Sequence, residues 1–182
     1  NVSAARIICG ALFPFGLIMV ILTGAELFTG NCLISISVLE RKATLGGMVR
    51  NWGLAYLGNF GGALTLAAAC AFCGQMNYSN GALAVYTIRT AAAKCTLSFG
   101  NAAVLGVLCN ILVCTGVVCS LCAKDVAGRA VGAFVPVCMF VICGFEHCVA
   151  NMYYIPAGIF SLSVPRYAQL AREAGVDVSA LT

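Results

Sequence analysis

The sequence has 182 residues, 62% of them hydrophobic and 9% charged, with 20 glycines and a formal net charge of +4; its mean hydropathy is +0.99. A soluble domain carries about 25% charged residues, so this composition excludes a water-soluble globule and indicates an integral membrane chain. The positive charge is spread too thinly to bind nucleic acid, because no basic run forms a stripe.

The first apolar stretch, residues 7–39, is too long for one ordinary span of about 20 residues. It is interrupted at residues 24–31, GAELFTGN. This reads as two half-helices joined by a non-helical loop that carries Gly24, Glu26, Gly30 and Asn31. Backbone that leaves its helix at membrane depth cannot face lipid, so the break must be covered by protein or line a watery cavity.

Residues 40–51 carry Arg41, Lys42 and Arg50 and read as an aqueous connection. A second span is expected from Trp52 to about residue 72. Trp52 and Tyr56 suit an interfacial belt, and Gly58, Gly61 and Gly62 are small enough to let helices pack closely. Residues 74–90, with Asn77, Ser79, Asn80 and Gly81, read as a loop closed by Lys94. A third span covers residues 102–122 and places Asn110 near its middle, where the amide either bonds a neighbouring helix or lines a path. Lys124, Asp125 and Arg129 make the next connection.

The second overlong apolar stretch, residues 131–160, contains Pro136 and Pro156 and is broken at residues 144–151, GFEHCVAN. Both breaks spell G-x-E-x-x-x-x-N. Paired interruptions at corresponding places in two halves point to the substrate path of an inverted-repeat membrane protein. Each also places a carboxylate where charge is expensive. Glu26 and Glu146 can be explained as acceptors for the free N–H groups of their loops. His147 is either a path residue or a packing imidazole, and its place in a break beside Glu146 favours the path. The last residues form a polar tail with a short helix at residues 167–174. Basic residues divide equally between the two sets of loops, so charge counting assigns no orientation.

The 12 cysteines lie mostly in apolar spans rather than in the polar, loop-rich setting of a disulfide scaffold. Cys70 with Cys73 and Cys119 with Cys122 each form C-x-x-C, but there is one histidine and no zinc-finger frame. No metal and no cofactor are expected.

TGAELFTGN, NWGLAYLGNFGGAL, LCNILVC and GFEHCVANMYYIPAGI together resemble the formate/nitrite transporter family of bacterial inner-membrane anion channels. They match, in that order, its broken second helix, its third, its fourth and its broken fifth. The resemblance implies an all-α, aquaporin-like inverted-repeat bundle assembled as a homopentamer with a pore in each protomer, although no NPA motif is present. It further implies that residues 1–182 are one transmembrane channel domain, incomplete at both ends, with the first and sixth family helices, and a further pore-lining Asn, outside the sequence.

The same resemblance assigns Leu27, Thr29 and Val113 to an outer constriction, and Phe13, Leu17 and Phe140 to apolar narrowing of the pore. His147 becomes the central protonatable group, Lys94 a source of positive potential, and Asn110, Glu146 and Asn151 further members of the site. The implied cargo is a small monovalent anion, formate first, with nitrite and hydrosulfide as competitors. The implied location is the bacterial inner membrane, in contact with lipid, and the implied activity is transport rather than catalysis. Two rivals differ in class: an aquaporin-type channel for neutral solutes, which the lone His and Lys94 argue against, and a membrane thiol or metal protein built on the C-x-x-C pairs.

Overall fold

In the computed structural model, which describes residues 2–181, every regular element among those residues is helical. Helices α1 (Val2–Leu12) and α2 (Pro14–Thr23) form one apolar run, Ser3–Thr23, of 21 residues. Pro14 is tolerated because it opens α2, where its missing N–H has no partner to lose. After the first break come the one-turn α3 (Phe28–Asn31), α4 (Ile34–Leu39) and the long α5 (Leu45–Phe72). A 3-10 segment, Gln75–Gly81, leads into α6 (Ala82–Cys95), then α7 (Phe99–Cys122) and α8 (Val126–Cys143). The second break is followed by α9 (Cys148–Leu162) and α10 (Pro165–Glu173). By length and composition, Ser3–Thr23, α5, α7 and α8 can each cross a membrane.

The chain gathers into two compact units. The first holds the residues up to Leu57 together with Ala102–His147. Its core is Leu17, Cys109, Val113, Ala133, Val137 and Phe140, where α1 and α2 lie against α8. Glycines set the approach distances. A Cβ added at Gly132 would stand 2.8 Å from the Cys119 carbonyl carbon, and one at Gly10 would stand 2.8 Å from Ile142 Cγ1. The second unit holds Gly58–Asn101 and the residues from Cys148 onward. There α6 packs on α9, α10 and the 3-10 segment, around Met76, Ala84, Ile88, Tyr167 and Ala171.

Several expectations change. Each broken stretch was expected to be two half-helices; instead the helix before each break is long enough to span by itself, and the part after it is shorter. The breaks are also half as long as expected. Only residues 24–27 and 144–147 leave the helix, while Phe28–Asn31 forms α3 and Cys148 opens α9. Gly30 and Asn31 are therefore helical rather than loop residues.

Two helices begin earlier than their apolar runs because a capping residue precedes them. Thr44 Oγ1 accepts from the Gly47 N–H at 3.1 Å, so α5 begins at Leu45 rather than Trp52. Asp125 Oδ1 accepts from the Gly128 N–H at 2.8 Å, so α8 begins at Val126 and includes Arg129. The loop expected at residues 74–90 is confined to its first part. From Ala82 onward the chain is α6, whose buried Ala84, Ile88, Ala91 and Ala92 recur at helical spacing. Close approaches among the described residues are made at Gly10, Gly81, Gly132 and Gly158, where an added Cβ would stand less than 3 Å from a neighbour.

Candidate functional site

The first break is set by glycine geometry and held by one asparagine. Gly24 ends α2 in the left-handed region, φ 72° and ψ 23°, which lets its own N–H and that of Ala25 return to the Val20 carbonyl. Leu27 is extended, φ −119° and ψ 119°, and turns the chain into α3. Asn31 Nδ2 donates to Glu26 Oε2 across the break and to Asn51 Oδ1 at 2.8 Å, and Trp52 Nε1 donates to the Asn31 carbonyl at 2.9 Å. Phe28 meets Tyr56 edge-on at 5.2 Å and Trp52 at 6.3 Å. The loop carboxylate is thus tied to α5 through Asn31, and Trp52 and Tyr56 serve this packing as well as any interface.

The second break repeats the design. Gly144 ends α8 with φ 74° and ψ 32°, and the Phe145 N–H returns to the Phe140 carbonyl at 3.0 Å. Glu146 and His147 follow, 9% and 8% exposed. His147 Nε2 lies 3.1 Å from the hydroxyl of Thr29, itself 4% exposed. The ring of Phe140 stacks on the imidazole at 5.8 Å with 21° between planes, and Phe13 approaches edge-on at 6.3 Å. The two breaks therefore meet at His147, in a setting that is apolar on two sides and offers a hydroxyl on a third.

The other expected site residues of the first unit gather around the same place. Phe13, Leu17, Leu27, Val113 and Phe140 belong to or pack against one apolar cluster. A cavity of about 210 Å³ opens beside the first break, lined by Leu17, Leu27, Gly24, Gly30, Asn31 and neighbours on α2 and α7. Asn110 lies on α7, where its Nδ2 donates to Cys114 Sγ at 3.7 Å. Lys94 occupies the last turn of α6, where a cation also complements the helix dipole, and Asn151 the first turns of α9; both belong to the second unit. Sequence reasoning missed Asn51 as a partner of Asn31, and it missed Cys114. The spacing of Asn110 and Cys114, one helical turn apart, was the signal available for the latter.

The chain as a whole is similar to known proteins. The family model described as formate/nitrite transporter matches residues 1–178. The chain is 40% identical over 174 residues to the formate channel FocA of Haemophilus influenzae, covering 94% of this chain and 60% of that protein. It is 37% identical over 169 residues to a probable formate transporter of Methanothermobacter thermautotrophicus, covering 85% of this chain and 62% of that one. It thus spans about 60% of the length of these curated relatives. Among solved structures, a pentameric formate channel with formate bound matches all of this chain and 71% of its own, with a TM-score of 0.84 and 30% identity. An FNT family ion channel, 24% identical, shares the fold with a TM-score of 0.79. With its two glycine-capped breaks meeting at a buried histidine, the chain belongs to the formate/nitrite transporter family.

Proposed function

We propose that the protein conducts small monovalent anions, formate before nitrite or hydrosulfide, through a pore in each protomer of a homopentamer in the bacterial inner membrane. The observation that carries this reading is His147, buried where the two breaks meet and bounded by Phe13, Phe140 and the Thr29 hydroxyl. An anion is costly in an apolar constriction, whereas its conjugate acid is not. Histidine is the side chain whose ordinary pKa lets it exchange a proton near neutrality, and an ionisable group at membrane depth is functional by default. A charged imidazole draws the anion in, passes it a proton and lets the neutral acid leave. Leu27, Val113, Leu17 and Phe140 form the apolar gates, with Asn110 and Glu146 as polar members.

The names of the relatives support formate as cargo, and the pentameric solved structure supports the assembly. No bond of the cargo is made or broken apart from the transferred proton, so the protein is a channel rather than an enzyme and uses no cofactor. The test is flux into proteoliposomes of formate, nitrite and hydrosulfide at two pH values. Formate flux that rises with acidity supports the reading. Flux of glycerol with no response to anions or pH would replace it with a neutral-solute channel.

A further inference from the structure

The hydrogen bonds behind His147 lead to a thiol. Asn110 and Cys114 share one face of α7. Asn110 Nδ2 donates to Cys114 Sγ at 3.7 Å, and the Cys114 thiol donates to the Thr29 carbonyl at 3.6 Å. Both are ordinary lengths for sulfur, a weak donor and acceptor with a large radius. Thr29 in turn presents its hydroxyl to His147 Nε2 at 3.1 Å. One sulfur atom therefore joins α7 to the single helical turn that carries the imidazole's partner.

A second observation lies at the other end of the amide. With Nδ2 engaged by sulfur, Asn110 Oδ1 is buried and has no hydrogen-bond partner among the described residues. Buried acceptors are nearly always paired. An amide oxygen accepts a hydrogen bond from the O–H of a neutral acid or of water, and offers nothing to a carboxylate, which is itself only an acceptor. An acceptor of this kind can pair with the protonated form of a small acid and not with its anion.

We propose that Cys114 is a positioning residue of the conduction site: its thiol holds Thr29 at His147 and turns the Asn110 amide so that Oδ1 is left to receive an O–H donor. The role in conduction rests on the channel reading above; the role in holding Thr29 at the imidazole does not. Around His147 stand Thr29 from α3, Phe13 from the α1–α2 junction and Phe140 from α8. The titratable groups concerned are Glu146, adjacent in the chain, and the Cys114 thiol behind Thr29.

The test uses Cys114→Ala, which removes both bonds, and Cys114→Ser, which can make both. His147 is the sole histidine, so ¹⁵N NMR of labelled protein in lipid reports one imidazole. In Cys114→Ala we expect altered ring nitrogen shifts and a titration midpoint moved by about half a pH unit, which is about threefold in proton occupancy at fixed pH. The pH profile of formate flux should move by the same amount, and Cys114→Ser should restore both towards the parent. A Cys114→Ala protein with parental spectrum and profile overturns the proposal. If Cys114→Ala does not assemble, Cys114→Ser still decides, since loss of the parental spectrum in that variant also overturns it. The spectra require no transport: a parent protein that carries no formate refutes the channel reading while leaving the role of Cys114 at Thr29 to be decided by NMR.

Discussion

Thr29 and His147, 118 residues apart in sequence, meet through a 3.1 Å contact between hydroxyl and imidazole Nε2. The first residue lies in the turn of helix that follows one break, and the second is the last residue of the other break. Neither break could hold this contact alone. Gly24 and Gly144 end their helices in the same left-handed conformation, Asn31 fixes the first loop to α5, and the rings of Phe13 and Phe140 close over the imidazole. The joint is thus a product of the repeated G-x-E pattern and of the apolar helices that surround it.

That contact can be tested by keeping shape and removing the hydroxyl. Thr29→Val should lower formate flux about fivefold, the equivalent of about 1 kcal/mol for a lost hydrogen bond, while Thr29→Ser keeps most of it. Proteoliposome flux at matched incorporation checks this, and equal rates in the Val and Ser variants would deny the hydroxyl a role.

Asn31 has a structural task of a different kind. Its side chain donates to Glu26 and Asn51, and its carbonyl accepts from Trp52. Asn31→Ala removes both side-chain hydrogen bonds, each worth about 0.5–1.5 kcal/mol. We expect a clear fall in thermal midpoint in detergent, and Asn31→Asp, which places two carboxylates together, should fall further. A midpoint unchanged in both variants would show that the loop is held by other contacts.

The glycine caps supply a paired prediction. Alanine at Gly24 would meet nothing within 4 Å, and at Gly144 its nearest neighbour would be the Arg6 guanidinium, 3.7 Å away and at ordinary contact distance. The cost in each case is therefore that of left-handed backbone, about 1–2 kcal/mol. Chemical or thermal unfolding should show Gly24→Ala and Gly144→Ala destabilised by similar amounts. A large inequality would mean that one break can relax its conformation.

Much of this was legible from the chain. The repeated G-x-E pattern located both breaks, since left-handed caps need glycine and only covered backbone can leave a helix at membrane depth. The family resemblance assigns Thr29 to an outer constriction, Phe13 and Phe140 to apolar narrowing and His147 to the centre of a path, and says nothing of contacts among them. Their meeting could not be read from periodicity, because residues so far apart in sequence are joined by packing alone. The first break is shorter than its polar sequence suggests because Asn31, a residue of low helix propensity, is carried in a helical turn by its bonds to Glu26, Asn51 and Trp52. Residues 82–90 read as loop because the turn residues Asn77, Ser79, Asn80 and Gly81 stand just before them, whereas the helix they enter buries Ala84, Ile88, Ala91 and Ala92 on one face. Cys114 was passed over because a thiol in an apolar helix looks like core until its neighbours are known.

His147 carries the strongest prediction, because a single atom type separates the rival roles. Asparagine approximates its size and polarity and can still bond the Thr29 hydroxyl, but it cannot titrate. If the imidazole only packs between Phe13 and Phe140, His147→Asn should conduct with the parental pH profile. If it exchanges a proton with the cargo, the variant loses the response. The sign follows from the chemistry: histidine gains charge as pH falls, so the parent should carry formate faster in acid. The variant, at equal expression and assembly, should show flat flux between about pH 5 and pH 7.5 once leakage through empty liposomes is subtracted. His147→Phe, which removes polarity as well, should abolish flux. Stopped-flow or electrode recordings across that range decide the matter: a parental slope in His147→Asn would mean that the proton comes from elsewhere and that the imidazole at the junction of the breaks is held there for packing alone.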